Sequence, residues 1–135
     1  MRNPNFSRPW QFVLEPLKGY LFLAQKQFNH PLKFSGSWNF GTQSRFSIKV
    51  IEIVNLIIKF WGSGKIKILK SKKFKEQKNL QIDSTKAKKK LKWKVTYSTK
   101  EAISVTSEWY SEVFRNKNNP LVVTLKQINE YMKKS

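Results

Sequence analysis

Two patterns near the carboxy end, Ser98-Thr99-Lys100-Glu101 and Thr124-Leu125-Lys126-Gln127, each set a hydroxyl three residues before a carboxylate or an amide. That spacing lets side chains satisfy the unpaired backbone N–H groups at a helix start. Ala102, Val105, Thr106, Trp109 and Val113 continue one face after the first pattern, and Ile128, Tyr131 and Met132 after the second. Two helices are therefore expected, the last over about 124–133.

At the other end, Pro4, Pro9 and Pro16 keep the first residues from starting as a regular helix. Glu15-Pro16 can open one, because proline suits the first helical turn, and Leu17, Tyr20, Leu21, Ala24 and Phe28 then share a face. Asn29-His30-Pro31 ends it. The stretch Ser35-Gly36-Ser37-Trp38-Asn39-Phe40-Gly41 reads as a brief strand between turns. Ser47 is placed to cap a helix reaching Trp61, apolar around most of its circumference and so expected to be buried, with Gly62 and Gly64 ending it. Ile66 and Ile68, and later Leu80 and Ile82, alternate with polar residues as short strands do. Asp83 or Ser84 caps a short helix carrying Ala87 and Leu91, and Trp93 is expected in the core. With no internal repeat and no low-complexity linker, the expected fold is a single helix-rich α+β unit over residues 1–135.

The chain has no cysteine, which excludes disulfides, thiolate catalysis and thiolate-bound metals, and a single histidine, His30, cannot form a His-rich metal centre. No metal site is expected. His30 itself, beside a proline at a helix end, reads as a surface or capping residue. No apolar stretch follows Arg2, so no signal peptide is read. The most apolar run, Val50–Trp61, is too short for a bilayer and is interrupted by Glu52, Asn55 and Lys59. A cytoplasmic protein without a membrane partner is the expectation.

Charge is lopsided: 27 Lys+Arg against 8 Asp+Glu give a formal +19. Residues 65–94 hold thirteen lysines and only two acids, Glu76 and Asp83. Such a run is either a polyanion footprint or a solvated face. Lysine lacks the planar fork that reads bases, and Phe74 and Trp93 are too few for a stacking platform. A basic binding module for nucleic acid or anionic surfaces is therefore kept only as the alternative.

The five glycines, at 19, 36, 41, 62 and 64, form neither a dinucleotide fingerprint nor a P-loop. No Tyr-x-x-x-Lys pair exists, since Ala24, Glu101, Phe114 and Ser135 follow the four tyrosines at that spacing. No catalytic or cofactor-binding residue is expected. The densest constellation is at the front: Arg2-Asn3-Pro4, then Ser7-Arg8-Pro9-Trp10-Gln11. Arginines near turn-forming prolines can clamp phosphate oxygens through charge-assisted bonds, with Trp10 and Gln11 packing and orienting beside them.

Residues 2–24, Arg-Asn-Pro-Asn-x-x-Arg-Pro-Trp-Gln-x-Val-Leu-Glu-Pro-Leu-x-Gly-Tyr-Leu-x-Leu-Ala, closely resemble a stretch of CDP-glucose 4,6-dehydratases, nucleotide-sugar enzymes of the extended short-chain dehydrogenase/reductase superfamily. Gly36-Ser37-Trp38-Asn39-Phe40-Gly41 is similar to that family's Gly-Ala-Trp-Asn-Phe-Gly, and Leu80, Ile82-Asp83-Ser84, Lys86-Ala87, Leu91 and Trp93 fall in the order of a later segment. Glu101-Ala102, Thr106, Trp109-Tyr110 and residues 124–128 follow in register.

The resemblance implies the substrate-binding lobe of such an enzyme, a carboxy-terminal portion without its Rossmann domain. NAD belongs to the full-length family and to the absent part, so this chain is expected to hold no cofactor and to be inactive alone. A nucleotide sugar of the CDP-glucose kind is the implied ligand, and a separate Rossmann half or self-association the implied protein partner. By position, Arg8 matches an arginine that approaches the diphosphate and Asn39 an asparagine near the nucleotide. Arg2, Trp10, Gln11 and Glu76 match further family positions. The chain departs from the pattern at Phe12 and Lys75, where histidine is usual, and at Asn79, where an aromatic is common.

Overall fold

The computed structural model describes residues 1–42, 48–69 and 77–135. It is helix-rich, with one small sheet: β1 (Ser7–Arg8), α1 (Leu14–Asn29), α2 (Pro31–Phe34), β2 (Ile48–Lys49), α3 (Val50–Trp61), α4 (Thr85–Leu91), α5 (Thr99–Phe114) and α6 (Pro120–Lys134). The helix-rich α+β class read from the sequence holds.

The first capping box forms as its spacing dictates. Ser98 Oγ accepts the Glu101 N–H at 3.3 Å, and Glu101 Oε2 accepts the Ser98 N–H at 2.8 Å. The second does not. Pro120 occupies the first turn of α6 and Asn119 Oδ1 accepts the Leu121 N–H at 2.8 Å, so the helix starts four residues before Thr124. Proline fixes the backbone angle a first turn needs, and it sets the start ahead of any later hydroxyl. Thr124 and Gln127 instead face α5: Trp109 Nε1 donates to Thr124 Oγ1 and Gln127 Nε2 to the Val105 carbonyl, each at 2.9 Å.

Helix α1 stops at His30 as expected, but the stripe Leu17, Tyr20, Leu21 and Phe28 faces outward. The buried positions are Glu15 and Gly19. A Cβ on Gly19 would stand 2.3 Å from the Phe40 ring, so the missing side chain lets that ring lie against the helix backbone. The core thus forms on the Gly19 side.

Residues 35–41 form no strand, and Trp38 Nε1 folds back onto the Phe34 carbonyl at 2.9 Å. Residues 66–68 and 80–82 form none either. The strand pairing is β1 with β2, antiparallel, Ser7 opposite Lys49 and Arg8 opposite Ile48. Residues 78–80 line the other side of Ser7, through Ser7 N–H to the Lys78 carbonyl at 2.9 Å and a parallel bridge to Asn79. Alternation alone makes no strand when its apolar side chains find no face to cover, and Ile66, Ile68, Leu80 and Ile82 are all exposed.

Helix α3 ends at Gly62 in the left-handed conformation, φ 83°, as its sequence implies. The helix opens later than a Ser47 cap would set it: Ile48–Lys49 pair as β2 and Lys49 holds the cap position, while Ser47 itself lies outside the described residues. Of its apolar residues only Ile53 is buried, because α3 packs on α5 along one side and leaves Ile57 and Phe60 exposed. At α4 the capping group is Asp83, whose Oδ1 accepts the Thr85 N–H at 2.8 Å; the Ser84 hydroxyl is buried without a partner among the described residues.

Two hydrophobic clusters result. One joins Phe34, Phe40, Ala87, Leu91 and the fully buried Trp93; the other joins Phe12, Tyr97, Ala102 and Tyr131.

The cap of α5 carries a pH signature. Backbone and hydroxyl bonds from Ser98, then Lys134 at 3.0 Å, bring the Glu101 carboxyl down from 4.5 to about 2. A pKa lower in the folded state gives stability that is complete above the unfolded value and lost as pH falls through the folded one. The stability gap between the native chain and Glu101→Gln should therefore narrow between about pH 4.5 and pH 2, as read by urea unfolding at each pH. A gap unchanged across that window would exclude the assignment.

Candidate functional site

The front segment is fastened to three distant stretches by its own polar groups. Arg8 Nη1 donates to the carbonyls of Ser7 at 2.8 Å and Gln77 at 3.1 Å, and its guanidinium lies 5.7 Å from the Phe6 ring centre. Thr99 Oγ1 donates to the Trp10 carbonyl at 3.2 Å. Gln11 Nε2 donates to the Phe40 carbonyl at 3.0 Å. Arg8, Trp10 and Gln11 are thus held together, and Gln11 brings the segment to the residue next to Asn39.

Asn39 itself is exposed on the 35–41 loop. Arg2 is exposed in a stretch fastened elsewhere, where the Met1 carbonyl accepts the Leu69 N–H at 2.9 Å. Glu76 and Lys75 lie outside the described residues. Two polar atoms of the segment, Trp10 Nε1 and Gln11 Oε1, are buried without a hydrogen-bond partner among the described residues.

A cavity of about 520 Å³ opens beside Trp10, lined by Thr42, Thr96, Ser98, Thr99 and Glu101 among others. Its hydroxyls and one ionised carboxylate suit a polyhydroxylated ligand more than an anion. A second cavity, about 470 Å³, lies where Gln11–Leu14 meet α5 and α6. Aromatic and aliphatic side chains dominate its walls. Among the described residues no group of three His, Asp or Glu side chains is arranged to hold a metal.

The sequence places Glu15 at the opening of a helix and within the family stretch 2–24. Glu15 is fully buried, and its carboxylate accepts the N–H groups of Thr96 at 3.0 Å and Tyr97 at 2.7 Å and the Tyr131 hydroxyl at 2.8 Å. Burial pushes the hydroxyls of Tyr97 and Tyr131 above their usual range, so both stay protonated. Lys18, one turn on, donates to Thr96 Oγ1 at 2.8 Å, and burial lowers its amine against the opposing pull of Glu15. A charged residue just before a proline at a helix start is the local sequence signal for this buried group.

No family model matches the chain. Over 133 residues, 98% of its length, it is 32% identical to a CDP-glucose 4,6-dehydratase of Salmonella typhimurium. The chain is related to a carboxy-terminal portion of CDP-glucose 4,6-dehydratase. It spans 37% of that enzyme's length.

Two departures from the CDP-glucose 4,6-dehydratase pattern have a structural place. Phe12 packs between Tyr97 and Tyr131, ring centres 5.5 and 5.9 Å away, so the aromatic ring adds to the core. Asn79 serves the sheet instead, its Oδ1 accepting from Ser7 Oγ at 3.2 Å. Among the described residues the glycines form no phosphate cradle. Gly19 lies within α1, Gly36 and Gly41 in the loop after α2, and Gly62 and Gly64 beyond the end of α3. None opens a helix N-terminus toward a phosphate, as a dinucleotide cradle requires. No helix of the described residues is long and apolar enough to cross a membrane.

Proposed function

We propose that this chain is the nucleotide-sugar-binding lobe of a CDP-glucose 4,6-dehydratase-like enzyme of the extended short-chain dehydrogenase/reductase type, acting in the cytoplasm and not catalytic alone. The identity running over 98% of the chain carries the reading. The NAD site and the acid–base pair belong to a Rossmann part outside these residues. Arg8 takes the diphosphate: two carbonyls already hold its guanidinium in place, so less side-chain freedom is lost when phosphate oxygens arrive. Asn39 and Arg2 lie toward the nucleotide, and Trp10 and Gln11 orient the segment. The hydroxyl-lined cavity beside Trp10 receives the sugar.

Calorimetry with CDP-glucose tests this directly. Binding is expected, weakened about tenfold or more by Arg8→Ala, the scale of one lost charge-assisted contact. Chain supplied with CDP-glucose and NAD alone should produce no dehydrated sugar; turnover would overturn the non-catalytic reading. Absent CDP-glucose binding, together with binding to unrelated DNA that collapses by about 0.2 M salt, would establish the basic binding module in its place.

A further inference from the structure

Asn39 is exposed, yet both of its neighbours in the chain are tied down. On one side Phe40 is buried, its ring edge-on to Trp93 at 5.3 Å and its carbonyl accepting from Gln11. On the other, Trp38 donates from Nε1 to the Phe34 carbonyl at 2.9 Å and stacks on the Phe34 ring, with centres 6.1 Å apart. A further tie comes from α4. Lys86, in the first turn of that helix, donates from Nζ to the Ser37 carbonyl at 2.8 Å, and the same nitrogen lies 4.2 Å from the centre of the Trp38 ring. One ammonium group thus meets the backbone of Ser37 and the aromatic face of Trp38, the two residues that lead into Asn39. Gly36 supplies the left-handed turn, φ 93°, just before them.

We propose that Lys86 is a positioning residue for nucleotide-sugar binding, holding residues 37–38 from α4 so that Asn39 stands ready for the nucleotide. The inference rests on the role given to Asn39 above. An exposed loop that is free to move must be ordered when a ligand arrives, and that ordering is subtracted from the affinity. A loop held beforehand loses less. Lys86 therefore raises affinity without touching the ligand, because its charge is engaged with a carbonyl and an indole ring of its own chain. Its part differs from that of Arg8, which is placed to meet phosphate oxygens. Lys86 is also the member of this set of ties that is exposed, so it can be changed without opening the core around Phe40 and Trp93.

The test is calorimetry with CDP-glucose on the full chain and five variants. Lys86→Met keeps the length of the side chain and removes the ammonium, and should weaken binding about fivefold, the scale of ordering one side chain anew on binding. Lys86→Arg keeps both a donor and a cation for the ring, and should stay within about twofold of the native chain. Lys89→Met, exposed on the same helix, removes one positive charge elsewhere and should leave affinity unchanged, which separates positioning from general attraction of an anionic ligand. Asn39→Ala should weaken binding, and Asn39→Ala/Lys86→Met should be no weaker than Asn39→Ala alone, because Lys86 acts through Asn39. Hydrogen exchange without ligand should quicken over residues 37–39 in Lys86→Met, with an unchanged urea midpoint. Additive losses in the double variant would mean that Lys86 meets the ligand itself, and would overturn the proposal. Equal losses from Lys86→Met and Lys89→Met, or no change in exchange over 37–39, would do the same. Native binding that Asn39→Ala weakens and Lys86→Met does not sinks the positioning role alone and leaves the nucleotide-sugar reading standing. A native chain that binds no CDP-glucose sinks both.

Discussion

Glu15→Ala is expected to destabilise the chain by about 4 kcal/mol, roughly a 15 °C fall in melting temperature for a domain of this size. The carboxylate is fully buried and is the shared acceptor for three donors from two other parts of the chain, Thr96 N–H, Tyr97 N–H and the Tyr131 hydroxyl. Truncation leaves all three in a dry interior, at a cost of about 1–3 kcal/mol for each unsatisfied group before relaxation and the relief of a buried charge. Glu15→Gln keeps the shape and one acceptor oxygen, and should cost about half as much. Urea unfolding followed by tryptophan fluorescence reads both. A loss below about 1 kcal/mol for the alanine variant would mean that water or a shifted backbone replaces these bonds.

That carboxylate also shows where sequence reasoning stops. A Glu-Pro at a helix start reads as a local opening, and locally it is one. What makes Glu15 central is its pairing with residues 81 to 116 positions away, and single-sequence periodicity carries no signal at that range. The stripe on α1 failed for the same reason. Leu17, Leu21 and Phe28 do share a face, but Gly19 admits the Phe40 ring on the opposite side, and the core goes there. Elements governed by neighbours were legible: the Ser98 box, the Gly62 stop and the proline break at 31 all stand. Even there, Asn119-Pro120 outranked the hydroxyl–amide spacing at Thr124, because a fixed proline angle sets a helix start more firmly than a side-chain bond.

The candidate site divides along the same line. Arg8, Trp10 and Gln11 adjoin in sequence, so their grouping was visible in advance; the carbonyls of Gln77, Phe40 and the hydroxyl of Thr99 that hold them were not. The walls of the cavity beside Trp10 come from three separate stretches of chain, its hydroxyls from two of them, Thr42 and residues 96–99. Family resemblance located residues by type and order, whereas the cavity exists only through tertiary packing.

Trp93→Ala carries the second large effect, about 4 kcal/mol, the range for removing a large aromatic from a packed core. The indole is fully buried, meets the Phe40 ring edge-on at 5.3 Å, and donates from Nε1 to the Glu15 carbonyl at 3.1 Å. Alanine leaves a cavity and removes the indole's bond to that carbonyl together. Trp93→Phe fills most of that space and should lose about 1–2 kcal/mol, chiefly the hydrogen bond. The bond matters because Glu15 belongs to both clusters at once: its backbone receives Trp93 from the first, and its carboxylate holds Tyr131 in the second. If the clusters stabilise each other through this residue, the double variant Glu15→Ala/Trp93→Ala should fall short of the summed losses by about 1 kcal/mol or more. Strict additivity in the urea-unfolding cycle would mean that the two clusters fold as independent units, each with its own anchor.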